Sequence, residues 1–219
     1  MNKISFLSAL LLLAILPIFA AFTSAEELKP IQLPKPQVDG GRPLMKVLKD
    51  RSSSRSFSKD KVPVQVLSNL LWAASGINRT DTGKRTAPSA VNWQEVDIYV
   101  AMSEGLYLYD PEGHILKPVL SGDIRAVTGR QDFVKDAPVN LIYVADFSRM
   151  GTAAKEDKEI YSAADTGFIS QNVYLYCASE GLATVVRGSV DRQALAKVMR
   201  LRPDQKIILA QTVGYPKKQ

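Results

Sequence analysis

The stretch DRSSSRSF, residues 50–57, places two arginines four positions apart around three serines. Guanidinium groups bind phosphate oxygens in a bidentate manner, and serine hydroxyls add further donors. Arg51, Ser52, Ser53 and Arg55 therefore form a candidate phosphate-binding site. Ser-rich stretches are also typical of solvated loops, so this segment alone leaves both interpretations open.

A proline turn farther along the chain, TAPSAVN, contains Pro88, Ser89, Ala90 and Asn92. Backbone donors and acceptors beside an amide side chain suit a flat heterocycle that has several polar ring atoms. An ordinary irregular loop accounts equally well for these residues.

A third segment, TVVRGSVD, ends a predicted strand at Arg187 and Gly188. Glycine at that point permits close approach between the backbone and a ligand. The alternative is a plain turn between a strand and a helix.

Composition excludes several classes of site. His114 is the only histidine, and it lies in a predicted hairpin turn, so a multi-histidine metal site and a histidine-based catalytic triad are not expected. Cys177 is the only cysteine, so an internal disulfide is not possible. No metal is expected, and the catalytic residues stay unassigned. The net charge of +6 is modest and spread along the chain, without an aromatic-basic repeat, so a nucleic-acid partner is not expected either.

The amino-terminal part of the chain predicts export. Residues 1–25 combine Lys3, a long apolar run and a small-residue TSA cleavage site, which is typical of a secretory signal; a retained membrane anchor is the alternative. After cleavage we expect a periplasmic or extracellular protein without a stable membrane anchor. Residues 26–42 are rich in proline and predict an extended lead-in, either draped over a partner or left as a disordered tether.

The remaining residues, 43–219, predict one domain of α+β class, with a mixed sheet flanked by helices. Helices are expected over PLMKVLKD, over VPVQVLSNLLWAASG and from about residue 155 to 182. Strands are expected at VDIYVAM, GLYLYD, VNLIYVAD, ATVVRG and KIILAQTVGY, which are rich in β-branched and aromatic residues. The longest helix is apolar nearly all round in GFISQNVYLYCASEGL, which favours a dimer interface; a central helix of a monomer is the alternative.

The order of these segments resembles the FMN-dependent nitroreductase superfamily, and most closely its SagB-type dehydrogenase branch. The resemblance extends from about residue 43 to residue 216. The segments that carry it are RSSSRSF, LLWAASGINR, KRTAPSAVN, GLYLYDPEGH, DTGFISQNVYLYCASEGL, VVRG and VGYP.

The resemblance implies an intertwined homodimer with FMN at the subunit interface. On that pattern Arg51, Ser52, Ser53 and Arg55 hold the phosphate and ribityl end of the flavin. Pro88, Ser89, Ala90 and Asn92 reach the flavin from the partner subunit. Arg187 and Gly188 lie beside the ring near N5, and Gln131 matches a position that touches the ring edge. Members often carry basic residues after the last strand, and here Lys217 and Lys218 occupy that place.

The implied activity is transfer of hydride or electrons between a donor and a small organic substrate, with NAD(P)H as a candidate donor. The flavin performs the redox chemistry, and the protein positions it. Two other functions stay open from the sequence. One is a flavin-binding module without turnover, and the other is a noncatalytic interaction protein on the same scaffold.

Overall fold

A computed structural model describes residues 27–218, so the predicted signal sequence, residues 1–25, lies outside the described residues. Within residues 27–218 no helix is both long enough and apolar enough to cross a bilayer. The helices are α1 (Leu44–Asp50), α2 (Val64–Ser75), α3 (Lys155–Glu180) and α4 (Arg192–Val198). The strands are β1 (Ile31–Gln32), β2 (Ile77–Arg79), β3 (Lys84–Arg85), β4 (Val96–Ala101), β5 (Gly105–Asp110), β6 (Ile115–Ser121), β7 (Val139–Asp146), β8 (Ala183–Arg187) and β9 (Gln205–Gly214).

Seven of these strands form one sheet in the order β1-β6-β5-β4-β7-β9-β8, while β2 and β3 form a separate ribbon. The predicted α+β fold, with a sheet flanked by helices, is confirmed. All neighbouring strands of the described sheet are antiparallel, where a mixed sheet was predicted. Tight hairpins join β4 to β5 and β5 to β6, and such short connections are available only to antiparallel neighbours.

The five predicted strands correspond to β4, β5, β7, β8 and β9, and the three predicted helices to α1, α2 and α3. The sequence analysis did not identify β6, which contains Pro118. This strand tolerates proline because β1 covers only Leu116 and Ile115, so β6 is an edge strand beyond that point. Its register with β5 also shifts beside Pro118.

The central strand β7 is buried along its whole length because both faces of the sheet are covered. On one face, Leu141 and Tyr143 pack with side chains of α2 and α3. On the other face, Ile142 and Val144 pack with α4. This alternation follows the period of two that β-structure imposes.

Helix α3 buries a single stripe of side chains within the chain, although its sequence predicted burial on more than one side. Large hydrophobic side chains remain exposed on its other side, with relative exposures of 64% at Ile160, 42% at Tyr161 and 48% at Phe168. The helix ends at Gly181, which adopts the left-handed conformation (φ 70°) that glycine accepts at little cost.

The lead-in is extended and lies against the domain. Leu33 donates its backbone N–H to the carbonyl of His114 at 3.2 Å. The Ser68 hydroxyl donates to the Pro34 carbonyl at 2.5 Å and contacts Nε2 of His114 at 2.7 Å. Nδ1 of the same imidazole contacts the Tyr109 hydroxyl at 3.0 Å. Nε2 of His114 therefore serves this attachment through Ser68, while Nδ1 fixes the ring to β5 through Tyr109.

Candidate functional site

The arginine-serine loop leaves the carboxyl end of α1 and passes between α3 and β8. Arg51 caps α1, and its guanidinium lies over the Tyr174 ring, 5.3 Å from the centroid. Ser53 Oγ hydrogen-bonds the Tyr174 hydroxyl at 2.8 Å. The Ser54 N–H donates to the Thr184 carbonyl at 2.9 Å, which fixes the loop beside β8.

The carboxyl-terminal segment runs alongside the same loop. Phe57 forms an isolated β-bridge with Pro216, and the Lys217 N–H donates to the Ser56 carbonyl at 3.4 Å. This pairing brings Lys217 to the loop that carries Arg55. We call Arg51, Arg55 and Lys217 the basic patch.

The positive charge of the basic patch is not compensated by the surrounding chain. Among residues 27–218, no carboxylate lies within 4.0 Å of a charged nitrogen of the patch. Ser52, Ser53 and Arg55 are exposed. Exposed hydroxyls among unpaired cations suit a phosphate dianion.

Among residues 27–218, strand β8 pairs only with β9, so the described strands leave its other edge open to other groups. Near the basic patch, this edge is used by Ser54 and by the Tyr174 hydroxyl, which accepts the Val186 N–H at 2.9 Å. Farther along, the exposed Gly188 N–H donates to no acceptor in the described part of the chain. Four residues of strand separate Thr184 from Gly188, about 13 Å.

Arg187 turns its side chain into the protein, where it is 3% exposed. Its Nε donates to Thr212 Oγ1 at 2.9 Å, Nη1 to the Thr128 carbonyl at 2.7 Å, and Nη2 to Asn140 Oδ1 at 3.1 Å. All three acceptors are neutral. Burial lowers the pKa of Arg187 to about 10, which still leaves it charged near neutral pH. The residue before Gly188 is therefore a buried cation without a carboxylate partner among residues 27–218.

Gly129 allows the arginine to approach its neighbouring loop. A Cβ at Gly129 would lie 1.8 Å from Nη1 of Arg187 and 2.9 Å from Oε1 of Gln131. That Gln131 oxygen is buried and has no hydrogen-bond partner among the described residues. The loop is tied to the end of β8 by the Arg130 N–H, which donates to the Ser189 carbonyl at 3.1 Å. Gln131 thus leaves an unsatisfied acceptor near Arg187.

The proline turn lies elsewhere. The Ala90 N–H donates to Oδ2 of Asp165 at 2.9 Å, whereas the arginine-serine loop contacts Tyr174. Nine residues separate Asp165 from Tyr174 on α3, which is about two and a half helical turns, so they occupy opposite faces. Within one chain, the structure therefore groups Arg51, Ser52, Ser53 and Arg55 with β8, and places Gly188, Arg187 and Gln131 at the far end of that strand. It does not bring Pro88, Ser89, Ala90 and Asn92 to them.

The sequence analysis missed four participants. Tyr174 was treated as part of an apolar run, and no local signal distinguishes it from its neighbours. Gly129 stands in a short TGR segment without a recognisable motif. The carboxyls of Glu95 and Asp165, which contact the proline turn, are 70 residues apart and cannot be paired from the sequence.

Comparison with known proteins gives a consistent picture. The profile of the nitroreductase family matches residues 48–215. A protein of Methanocaldococcus jannaschii described as a candidate nitroreductase is 30% identical over 166 residues, which are 71% of this chain and 83% of that protein.

Solved structures show a fold similar to that of this chain. A candidate nitroreductase from Ralstonia eutropha JMP134 is 45% identical and superposes with a TM-score of 0.83, covering 87% of this chain and 90% of its own. The Escherichia coli microcin synthetase McbBCD complex contains a chain with a TM-score of 0.67 at 18% identity, covering 98% of this chain and 85% of that one. At that identity the likeness shows the fold alone.

Proposed function

The chain belongs to the nitroreductase family, and from this premise we propose that it is an FMN-dependent oxidoreductase acting on a small organic substrate. Membership of the SagB-type branch is part of the proposal and is supported by the seven sequence segments quoted above. NAD(P)H is the proposed donor.

The observation that carries the proposal is the basic patch at one end of the free edge of β8. Arg51, Arg55 and Lys217 have no carboxylate partner among residues 27–218, and the hydroxyls of Ser52 and Ser53 lie between the two arginines in the sequence. Such a donor set fits the phosphate of FMN. The flavin, when bound, supplies the hydride or electron transfer.

The other end of the same edge fits the ring. Gly188 offers a backbone N–H without a side chain in the way, and Gln131 offers a buried oxygen; neither atom has a hydrogen-bond partner within residues 27–218. The buried cation of Arg187 lies beside the 128–131 loop that carries Gln131, and its positive charge favours negative charge on a neighbouring group. In this proposal Arg187 acts through its charge and by holding the 128–131 loop, because its guanidinium is already bound by protein acceptors.

The proposed assembly is a homodimer in which the proline turn of one copy covers the flavin of the other. The opposite placement of the turn and the basic patch on α3 supports this, because one chain does not bring them together. The exposed Ile160, Tyr161 and Phe168 on α3 support it further, since large apolar side chains on a helix face are typical of a protein interface. Export to the periplasm or the cell exterior, and the absence of a membrane anchor after cleavage, complete the proposal.

The test begins with an absorbance spectrum of the protein lacking residues 1–25 after FMN is offered. We expect bound flavin, and reduction of it when NADH or NADPH is added without oxygen. Arg51→Ala and Arg55→Ala should each weaken FMN binding at least tenfold, because one charge-assisted hydrogen bond contributes about 1.5 to 3 kcal/mol. Arg200→Ala, an exposed arginine beyond α4, is the matched control and should bind FMN as the unaltered chain does.

Other outcomes separate the alternatives. Bound FMN that no donor and acceptor pair can turn over would support the flavin-binding module. A protein that ignores added FMN, with no change in its unfolding temperature, would contradict the proposal and support a noncatalytic interaction role.

A further inference from the structure

The proline turn is held in an unusual backbone conformation. Val91, Asn92 and Gln94 have φ values of 50°, 59° and 49°, which lie in the left-handed region. This region is disfavoured for residues with a Cβ, and for β-branched valine it is a genuine outlier. Such a conformation persists only where surrounding contacts determine it.

Two buried carboxyl groups supply those contacts. Oδ2 of Asp165 accepts the Ala90 N–H at 2.9 Å. Oε2 of Glu95 accepts the Ser89 hydroxyl at 3.2 Å, and Ser89 Oγ accepts the Gln94 N–H at 2.8 Å. Both ends of the strained stretch are therefore tied, directly or through one hydroxyl, to a carboxyl group.

The two carboxyl groups bind adjacent residues of the turn, Ser89 and Ala90, and line one cavity, which brings them within hydrogen-bond reach of one another. Glu95 is fully buried and Asp165 is 3% exposed. Burial and a neighbouring carboxyl group both oppose ionisation of Glu95, because water does not screen its charge. Burial first, and then the neighbouring Asp165, raise the pKa of Glu95. Oε1 of Glu95 has no partner among the described residues, which leaves it free to carry a proton.

The surrounding cations do not neutralise this pair. Arg79, Lys84 and Arg85, from the β2–β3 ribbon, share a cavity of about 420 Å³ with the two carboxyls. Arg149, which follows β7, donates to the Gln94 carbonyl at 2.9 Å and pairs with Asp97. In the described chain none of these cations lies within 4.0 Å of either carboxylate.

We propose that Glu95 keeps its proton in the folded protein and donates it to Asp165, and that this hydrogen-bonded pair is the positioning element that holds the proline turn in its strained conformation. Asp165 in turn accepts the Ala90 N–H. Loss of the proton from Glu95 removes the hydrogen bond between the two carboxyl groups and releases the turn. The consequence for cofactor binding rests on the proposed function, in which the turn covers the flavin of the partner subunit.

The test compares FMN binding from about pH 6 to about pH 9 in the unaltered chain, in Glu95→Gln and in Glu156→Gln, using the change in flavin fluorescence. Glutamine imitates the protonated acid, so at about pH 6 Glu95→Gln should bind FMN with an affinity within about twofold of that of the unaltered chain. Above the pH at which the pair loses its proton, the unaltered chain should lose affinity by up to about tenfold per pH unit. Glu95→Gln should not show this loss. Glu156→Gln, which removes an exposed charge from the same helix α3, should behave as the unaltered chain does.

Titration of the flavin itself is common to all three proteins, so only the difference between them counts. The same pH dependence in Glu95→Gln as in the unaltered chain would overturn the proposal. Should that variant fail to fold, Asp165→Asn provides the second comparison, since its amide oxygen still accepts the Ala90 N–H.

A readout without FMN separates this proposal from the proposed function. A carboxyl whose pKa is raised on folding stabilises the protein below its ordinary pKa, 4.5 for glutamate, and this contribution is lost as the pH rises through the folded value. The unfolding temperature of the unaltered chain should therefore fall relative to Glu95→Gln as the pH rises. Parallel unfolding profiles would refute the retained proton on Glu95. A chain that binds no FMN at any pH, yet shows the expected difference in unfolding, would refute only the proposed function.

Discussion

Replacement of Arg187 by methionine tests whether the buried guanidinium holds together three parts of the structure. The substitution keeps an unbranched side chain but removes hydrogen bonds to Thr128, Asn140 and Thr212. Each bond to a charged donor contributes about 1.5 to 3 kcal/mol, so the three together contribute roughly 4.5 to 9 kcal/mol. The substitution also removes the cost of burying the charge.

That cost follows from the lowered pKa. A fall from 12.5 to about 10 corresponds to roughly 3 kcal/mol against the charged form of Arg187. Subtraction leaves a net destabilisation of roughly 1.5 to 6 kcal/mol, with about 4 kcal/mol as the central expectation. For a domain of this size, that is a fall in Tm of about 8 to 16 °C.

Urea unfolding, followed by far-ultraviolet circular dichroism, measures this difference. Arg130→Met is the matched control, because Arg130 is an exposed neighbour whose single ion pair in the described part of the chain, with Asp191 at 3.8 Å, is long. It should lie within about 0.5 kcal/mol of the unaltered chain. If Arg187→Met also lay within that range, the three bonds would not be stabilising the fold, and the reasoning would be wrong.

Three further predictions concern Tyr174 beside the basic patch, His114 beneath the lead-in and Cys177 in the core. Tyr174→Phe removes the acceptor of the Val186 N–H and the partner of Ser53, so the free energy of unfolding should fall by about 1 to 3 kcal/mol in urea; no change would contradict the role given to that hydroxyl. Burial lowers the pKa of His114 below 6.5, so the stabilising contribution of the neutral ring is present above that pH and is lost as the pH falls through the folded value. The Tm of the unaltered chain, measured from about pH 7 down to about pH 5, should therefore fall more steeply than the Tm of His114→Gln. Cys177 is fully buried and burial raises the pKa of its thiol, so a thiol reagent should react with it only at the rate of unfolding, and rapid reaction of the native protein would refute this placement.

Local patterns in the sequence predicted most of the fold. β-Branched and aromatic runs located β7, β8 and β9, and helical spacing located α2 and α3. Pro118 concealed β6, because a proline is acceptable there only through the edge position of the strand, which depends on the final sheet order.

The site was less accessible to such reasoning. The sequence placed Arg187 at the end of a strand but did not show that its side chain turns inward, since this depends on Asn140 and Thr212 in two other strands. It identified Lys217 only as a basic residue near the end of the chain. The bridge from Phe57 to Pro216, which brings that lysine to the arginine-serine loop, joins segments about 160 residues apart.

This bridge makes the carboxyl end of the chain a poor place for any fusion. A purification tag or reporter attached at the carboxyl end would begin next to the arginine-serine loop. Charged groups of the tag would then compete with the basic patch for anionic ligands. Histidine-rich or acidic extensions at that end would change the measured affinity for phosphates without any change in the domain itself. A tag placed ahead of the lead-in would instead be followed by β1, which lies at the opposite edge of the sheet from β8.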